Sequence, residues 1–464
     1  MPFLQDFVTQ NKLKCYLADR LPGRMRAIAE TCRKGEAIEA DVRGSVEAIE
    51  SYQIQALRLL LGRAAELPRY RDLTKRLGKP LAQMTLADLP GIPFLTKDIL
   101  RDDGPQLRLS GAEGVYENHS GGSTGIPIRF WQDERYRIDL SAATRRANRL
   151  AEMFPGARVA KLWGAPQDRR KIEGLSGRLR LWLLNQRYYD TFDMGPSRME
   201  AYHRDLEQFQ PDFIQAYASS ALLLARFLKS RGQRPTYPRK AIVSSAERLT
   251  ASMRAEIEEI FPVRVYDRYG SREVSAIAAE CSEHQGLHIQ MSSYIVETVD
   301  PATLTPVTGR PGEIVITVLN NYAMPFLRYR IGDMGILDTT RCACGRPTYR
   351  LREVLGRTSD NFLMADGRIV HGEYFTHIFY GREGIEQFQF VQHTPDEYTL
   401  QIVPTPYYRQ AVADQIESEV RDMIGPAARL QFELREAIPK TPSGKYRFTV
   451  SHVDLDAVVG GRRQ

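Results

Sequence analysis

The middle of the chain constrains the fold most. Short apolar runs at Ala157–Trp163, Phe213–Ala218, Ala241–Ser245, Arg264–Tyr269, Leu287–Val299, Gly312–Leu319 and Gly335–Asp338 read as strands. Segments of helical periodicity, such as Ser197–Phe209, Ser220–Arg231 and Ala251–Ile260, separate them. Strands alternating with helices specify an α/β core. Upstream the pattern is helical, with Ile49, Leu57 and Leu60–Leu61 recurring along Val46–Leu61. It is broken at Leu67-Pro68-Arg69-Tyr70-Arg71 and again at the Pro-rich turn Leu89-Pro90-Gly91-Ile92-Pro93. Downstream, Phe388–Val391 and Tyr398–Val403 resemble a hairpin, followed by a helix at Arg409–Ile424, a strand at Leu430–Glu436 and a loop ending in Thr441-Pro442-Ser443-Gly444-Lys445. The expected architecture is α/β: an N-terminal helical extension (1–45), a large multi-subdomain α/β body (46–356), and a small mobile α+β C-terminal domain (357–464) carrying the lysine loop.

Composition excludes several classes. With 42% hydrophobic and 26% charged residues in a chain of 464, disordered and fibrous proteins drop out. Two or three domains are expected at this length, each large enough to bury its own core. No apolar run approaches the ~20 residues of a membrane span, and the start, Met1-Pro2-Phe3-Leu4, lacks the pattern of a signal peptide. Five cysteines are too few for a disulfide scaffold and suit a reducing compartment, so a cytoplasmic protein is expected. The net charge of +7 comes from scattered arginines rather than a basic patch interleaved with aromatics. That argues against nucleic acid and is compatible with weak steering of a small anion.

The most informative segment is His119-Ser120-Gly121-Gly122-Ser123-Thr124-Gly125-Ile126-Pro127. Its glycines permit close backbone approach and its hydroxyls supply donors, as a phosphate cradle requires; it lacks the Gly-Lys-Ser/Thr of a Walker loop. Taken singly it is as often a flexible turn. Further on, Tyr269-Gly270-Ser271-Arg272-Glu273 follows an expected strand, placing an acid past a strand end where α/β proteins bind ligands. Tyr329-Arg330-Ile331-Gly332-Asp333 repeats that setting, Gly356-Arg357-Thr358-Ser359-Asp360 marks the expected domain joint, and Lys445 closes the C-terminal loop. Each alone reads as a cap, a turn or a surface group; their ordered combination does not.

Together these segments resemble the adenylate-forming superfamily of acyl-CoA synthetases, and within it the phenylacetate–CoA ligase family with its capsular-polysaccharide-biosynthesis relatives. Leu67–Arg71, Leu89–Lys97, Ser244-Ser245-Ala246-Glu247 and Gln387–Gln392 resemble that narrower family, and the resemblance spans roughly residues 50–450. It implies a two-step reaction: a carboxylate attacks the α-phosphate of ATP, giving an acyl- or aryl-adenylate and pyrophosphate, and a thiol or amine then displaces AMP. On this resemblance Ser120, Gly121, Gly122, Ser123, Thr124 and Gly125 hold the phosphates. Glu273 holds Mg²⁺, Asp333 the ribose, and Ser245, Ala246, Glu247, Asp267, Arg268, Tyr269 and Gly270 the adenine. Arg357 and Asp360 sit at the hinge, and Lys445 reaches the reacting carboxylate and α-phosphate. Catalysis is thus expected from Lys445, Glu273 and Arg357.

Three departures from the family pattern stand out. Ile126 replaces the lysine that usually follows the phosphate loop, and Ser359 stands where many relatives carry the first hinge acid. Ala365–His371 replaces the Arg-Gly-Val-Asn segment of the phenylacetate enzymes, which helps form the thiolation site. The acceptor therefore stays open between CoA, a carrier thiol, an amine and a hydroxyl, and a non-catalytic nucleotide-binding relative is the remaining alternative. Intact Glu273, Asp333 and Lys445 argue against that last reading.

A second constellation pairs Cys281-x-x-His284 with Cys342-x-Cys344, which is how a structural zinc staples two loops; His288 rivals His284, and Cys15 and Cys32 lie apart. Reduced thiols beside a surface histidine are the plainer reading. For the acid's pocket, Trp163, Tyr217, Ser219 and His119 are candidates, with Trp163-Gly164 hinting at an aryl group. Expected partners are a small carboxylic acid, the acceptor and a second copy of the chain, since relatives are often dimers; neither nucleic acid nor membrane is expected.

Overall fold

The computed structural model describes residues 44–120, 128–154, 156–163, 174–191, 194–300, 303–356, 361–379, 382–438 and 448–453. Residues 1–43 of the N-terminal extension, Gly121–Gly125, Arg357, Asp360 and Lys445 lie outside the described residues. The first helix, α1 (Val46–Ala64), is capped by the Ser45 hydroxyl and buries Ile49, Leu57, Leu60 and Leu61. Two strands, β1 (Tyr116–His119) and β2 (Arg129–Gln132), pair as a hairpin that flanks the Gly/Ser/Thr loop. Helix α2 (Glu134–Leu150) follows, capped by the Asp133 carboxylate on Tyr136 N–H.

The αβ alternation then builds a twelve-stranded sheet among the described residues. Its parallel half comprises β3 (Val159–Trp163), β4 (Gln186–Asp190), β5 (Phe213–Ala216), β6 (Ala241–Ser245) and β7 (Arg264–Ser271), in the order β4-β3-β5-β6-β7. Helices α3 (Leu175–Leu183), α4 (Pro196–Phe209), α5 (Ala218–Ser230) and α6 (Ala251–Ile260) fall between these strands. Ala160, Leu162, Ile214, Ala216, Ile242 and Val265 turn one face of the sheet into a core with α4, α5 and α6. Beyond β7 the pairing becomes antiparallel through β8 (Ser275–Glu280), β9 (Leu287–Ile289), β10 (Tyr294–Val299), β11 (Pro306–Val307), β12 (Gly312–Val318), β13 (Tyr329–Asp338) and β14 (Arg350–Gly356).

The lead-in is fastened to this half. Leu95 bridges Tyr329, and the buried Arg328 guanidinium bonds Pro90 O and Ile92 O, pairs with Glu297 and stacks 4.1 Å from the Phe94 ring centroid.

Residues 361–453 carry two strands, β15 (Asn361–Leu363) and β16 (Ile369–His371), and a four-stranded sheet. That sheet contains β17 (Ile385–Thr394), β18 (Glu397–Pro404), β19 (Arg429–Leu434) and β20 (Thr449–Ser451), in the order β19-β18-β17-β20. Helices α7 (Gly372–Phe379) and α8 (Gln410–Ile424) complete a core rich in Phe362, Phe375, Phe388 and Phe390. The molecule is thus mixed α/β with a distinct C-terminal unit.

Several elements differ from the sequence expectation: β4 and β8 are strands where none is expected, β13 begins at Tyr329 rather than Gly335, and two others change extent. The single strand expected over Leu287–Val299 is two, because Gln290–Ser293 form a turn in which Ser293 N–H donates to Gln290 O. The expected strand Phe213–Ala218 stops at Ala216, where Tyr217 becomes the N-cap of α5.

Candidate active site

Motifs far apart in sequence converge beside the last parallel strand. The Tyr269 hydroxyl donates to Asp333 Oδ2 at 2.6 Å, joining β7 to β13. Glu273 sits in the turn between β7 and β8; it is 5% exposed, and its carboxylate accepts no hydrogen bond among the described residues. Its backbone is fixed instead, the Glu273 carbonyl accepting from Gln132 Nε2 at 3.2 Å and from the Tyr136 hydroxyl at 3.4 Å. Gln132 ends β2 opposite Tyr116, at the end of the hairpin away from the Gly/Ser/Thr loop, so the base of the hairpin that carries the loop is tied to Glu273. Ser120 closes that neck, its backbone N–H bonding Ile128 O and its hydroxyl accepting from Ile128 N–H, both at 2.9 Å. Gly270 has no room for a side chain, since a Cβ there would lie 2.2 Å from Ser275 O.

The adenine-side candidates divide. The Ser245 hydroxyl bonds Arg268 O at 3.1 Å, and Ala246 adopts the left-handed region at φ +71°. The Glu247 carboxylate does not point to an open pocket: it accepts from Ser219 N–H at 2.7 Å and from the Ser219 hydroxyl at 2.9 Å, capping α5. Asp267 lies against Glu280, and burial followed by that neighbour pushes its carboxyl up to about 7. Arg268 points the other way in the pleat, toward Ser245 Oγ at 3.5 Å and Asn148 Oδ1 at 3.4 Å. Sequence reading did not single out Lys97 alone as a site residue. Its ammonium lies 3.7 Å from where a Cβ on Gly332 would stand, next to Asp333. Of the acid-pocket candidates, Trp163 and Tyr217 stack with centroids 4.3 Å apart, whereas His119 is exposed beside Glu117.

The thiol cluster corrects one assignment. Cys281, His288, Cys342 and Cys344 bring their ligand atoms within 4.8 Å of one another, and His284 is not among them. His284 Nδ1 instead lies 3.1 Å from Glu280 Oε2 and 3.2 Å from Arg254, because its backbone turns to φ +51° away from the cluster. His288 arrives from β9, whose pairing with β8 sets it opposite Ala279, two residues before Cys281. The donor set fits a tetrahedral ion. The Cys281–Cys342 sulfurs are 3.8 Å apart and Cys344 Sγ is 3.3 Å from His288 Nε2. An edge of ~3.8 Å is what two Zn–S bonds of ~2.3 Å subtend. Thr348 Oγ1, 2.7 Å from His288 Nδ1, fixes the ring. Burial, then Arg346 and Arg350, lowers His288 to about 4, so the imidazole is neutral and its Nε2 lone pair is available.

Comparisons with known proteins agree with this fold. Residues 362–452 match the sequence model of the CapK C-terminal domain. The phenylacetate–coenzyme A ligase of Thermus thermophilus is 27% identical over 432 residues, covering 86% of this chain and 96% of that protein. The CapK protein of Staphylococcus aureus is 23% identical over 396 residues, covering 83% and 85%. Among solved structures, 2-hydroxyisobutyryl-CoA ligase in complex with 2-HIB-AMP and CoA in the thioesterification state superposes with a TM-score of 0.60 at 20% identity, covering 91% of this chain and 93% of that one. The same ligase in its postadenylation state with 2-HIB-AMP gives 0.53 at 20% identity, with 90% and 91% covered. Among the described residues no helix is long and apolar enough to cross a membrane.

Proposed function

From the premise that this chain is a homologue of the phenylacetate–coenzyme A ligases and of CapK, built on the fold of the adenylate-forming CoA ligases, we propose that it activates a carboxylic acid with ATP and passes the acyl group to CoA. The observation that carries this reading is the convergence of the β1–β2 hairpin, tied by Gln132 to the Glu273 carbonyl, the Glu273 carboxylate, which accepts no hydrogen bond among the described residues, and the Tyr269–Asp333 pair beside the last parallel strand. In the first step a carboxylate oxygen forms a bond to the α-phosphorus and pyrophosphate leaves with the electrons of the broken P–O bond. In the second the acceptor attacks the acyl carbon and AMP leaves.

Gly121, Gly122, Ser123, Thr124 and Gly125 cradle the β- and γ-phosphates with N–H and hydroxyl donors, and Ser120 sets the loop's neck. Asp333, oriented by Tyr269, accepts from the ribose hydroxyls. The backbone of Ser245–Glu247 and the Asp267–Gly270 strand flank the base. Glu273 holds Mg²⁺, whose charge offsets that developing on the polyphosphate. Lys445 delivers a cation to the reacting carboxylate and α-phosphate, and Arg357 and Asp360 act at the hinge between a body ending at 356 and a C-terminal domain beginning at 357. Cys281, His288, Cys342 and Cys344 hold a structural zinc, closed by four protein ligands and without a catalytic role. ATP and CoA, as substrates, suit a cytoplasmic enzyme.

ATP–pyrophosphate exchange across a panel of acids tests the first step. Exchange that depends on an acid is the expected result, and Lys445→Ala should lose it while ATP binding by calorimetry persists. Unchanged exchange in that variant would remove the mechanism. The CapK-like match over 362–452 and the Ala365–His371 segment favour one second reading, an amine or hydroxyl acceptor. AMP release on adding CoA, and not on adding amines or alcohols, decides against it.

A further inference from the structure

The register of the parallel strands places four side chains at one level. Leu162 pairs with Ala216, Ala216 with Ser244 and Ser244 with Asp267. One residue further on, Trp163, Tyr217, Ser245 and Arg268 follow on the opposite face: Trp163 and Ser245 end β3 and β6, Tyr217 lies just past β5, and Arg268 is the last β7 residue that pairs with β6. Neighbours in this row touch: Trp163 stacks on Tyr217, and Ser245 Oγ lies 3.5 Å from Arg268 Nε.

The same face changes character along the strands. At its amino end Val159, Phe213, Ala241, Val243 and Tyr266 pack with Ala151 and Met153 as an apolar core. At its carboxyl end it becomes polar and carries a cation. Parallel strands buried on both faces are ordinarily apolar throughout, and the carboxyl edge is where such sheets take ligands. This row is also continuous with the nucleotide rim, since Ser245 and Arg268 directly precede Ala246 and Tyr269.

Arg268 differs from the ion-paired arginines and, like Arg146, which bonds Gln290 and Ser293, has no carboxylate ion pair among the described residues. Arg254, Arg328, Arg330 and Arg350 each pair with a carboxylate. Arg268 is half-buried and makes only the two long contacts to Ser245 and Asn148; among the described residues no carboxylate forms an ion pair with it. The nearest acid in sequence, Asp267, accepts from the Arg268 backbone N–H and acts on the guanidinium only through space, an attraction outweighed by burial. A guanidinium withdrawn from water without a counter-ion is unfavourable unless a ligand supplies one, and its planar fork matches a carboxylate.

We propose that Arg268 binds a second anionic group on the acid being activated, so that the enzyme's substrates are short dicarboxylic acids, with the Trp163–Tyr217 pair closing the pocket beyond it. The inference rests on the adenylation reading above. The reacting carboxylate stays at the phosphate rim while the distal one is held at the Arg268 side.

The test is ATP–pyrophosphate exchange by the full-length protein with matched acids: succinate against butyrate, glutarate against valerate, and phenylacetate as the aryl case. The dicarboxylate is expected to exceed its partner in kcat/KM by on the order of 10⁴-fold, the scale on which sites built around a polar contact reject analogues lacking it. Arg268→Leu should collapse that ratio, and Arg268→Lys should leave it intermediate. A ratio of specificities within one preparation does not move when a variant is merely less folded. Exchange with butyrate, valerate or phenylacetate equal to or above the dicarboxylates, or a ratio indifferent to Arg268→Leu, overturns the inference while adenylation stands. Exchange with no acid at all overturns both.

Discussion

The two halves of the large sheet treat charge differently. In the antiparallel half, three inward-facing arginines are matched with acids: Arg328 grips Glu297 through two 3.0 Å bonds, Arg330 bonds Glu313 at 2.9 Å, and Arg350 bonds Asp338 at 2.9 Å. At the carboxyl edge of the parallel half and in the turn that follows it, Arg268 and Glu273 form no ion pair among the described residues. The difference separates charges that organise the chain from charges that await a ligand. Removing a member of the first class should cost stability, and removing one of the second should cost rate.

The largest expected effect belongs to Glu273. Glu273→Ala should lower acid-dependent pyrophosphate exchange by on the order of 10²–10³, the scale of a lost electrostatic contact at a reacting centre, with the denaturation midpoint nearly unmoved. Glu297→Ala should do the reverse, costing ~3–5 kcal/mol because Arg328 is left buried and unpaired, with exchange per folded molecule preserved. Denaturant titrations and exchange rates on both variants would break the comparison if the two profiles coincided.

The metal cluster sharpens it from another side. Metal analysis of purified protein should find on the order of one zinc per chain, lost in Cys342→Ser and in His288→Ala but retained in His284→Ala. Zinc retained in His288→Ala and lost in His284→Ala would restore the histidine that sequence spacing suggests.

That histidine shows what the sequence carries and what it withholds. β6 and α6 coincide residue for residue with expectation, because a short apolar run between turn signals and a Thr250 cap are local signals. β8 was invisible as a strand, since Ser275–Glu280 is rich in alanine, a weak strand former. His288 looks like a core residue between Leu287 and Ile289, and only the pairing of β9 with β8 brings it to Cys281. Arg268 sits inside a motif that reads as nucleotide-binding; its orientation toward the opposite face is a property of register, which no local pattern encodes. The motifs at Glu273, Tyr269 and Asp333 were legible because their chemistry is written in residue type, whereas their convergence required the sheet.

Asp267 gives a pH-dependent version of the same contrast. Burial and then Glu280 raise its carboxyl to about 7 in the folded protein, against the ordinary carboxylate range when unfolded. Between about pH 4 and 7 the unfolded chain therefore releases a proton that the native state keeps, and stability falls as pH rises through that window. Glu280, held below its ordinary value by His284 and Arg254 against the opposing effect of burial, acts only at more acid pH. Asp267→Asn has no proton to release, so its denaturation midpoint should decline less from pH 5 to 7 than that of the unaltered protein. Parallel declines would mean that Asp267 is ionised in the fold.

Glu247 offers the smallest effect and the finest discrimination. It stands on the functional edge yet is paired, its carboxylate accepting from Ser219 N–H and hydroxyl at the start of α5, where the N-cap Tyr217 provides no side-chain cap. By the logic of matched charges it belongs with the organising class despite its address. Glu247→Ala should therefore cost ~1 kcal/mol of stability, as a lost helix cap does, and Glu247→Gln, which keeps one acceptor oxygen, should recover part of it. Pyrophosphate exchange at saturating acid should stay close to that of the unaltered protein, with the loss confined to the midpoint of denaturation. A collapse of exchange without loss of stability would place Glu247 with Glu273, and pairing within the chain would then no longer separate structure from function at this edge.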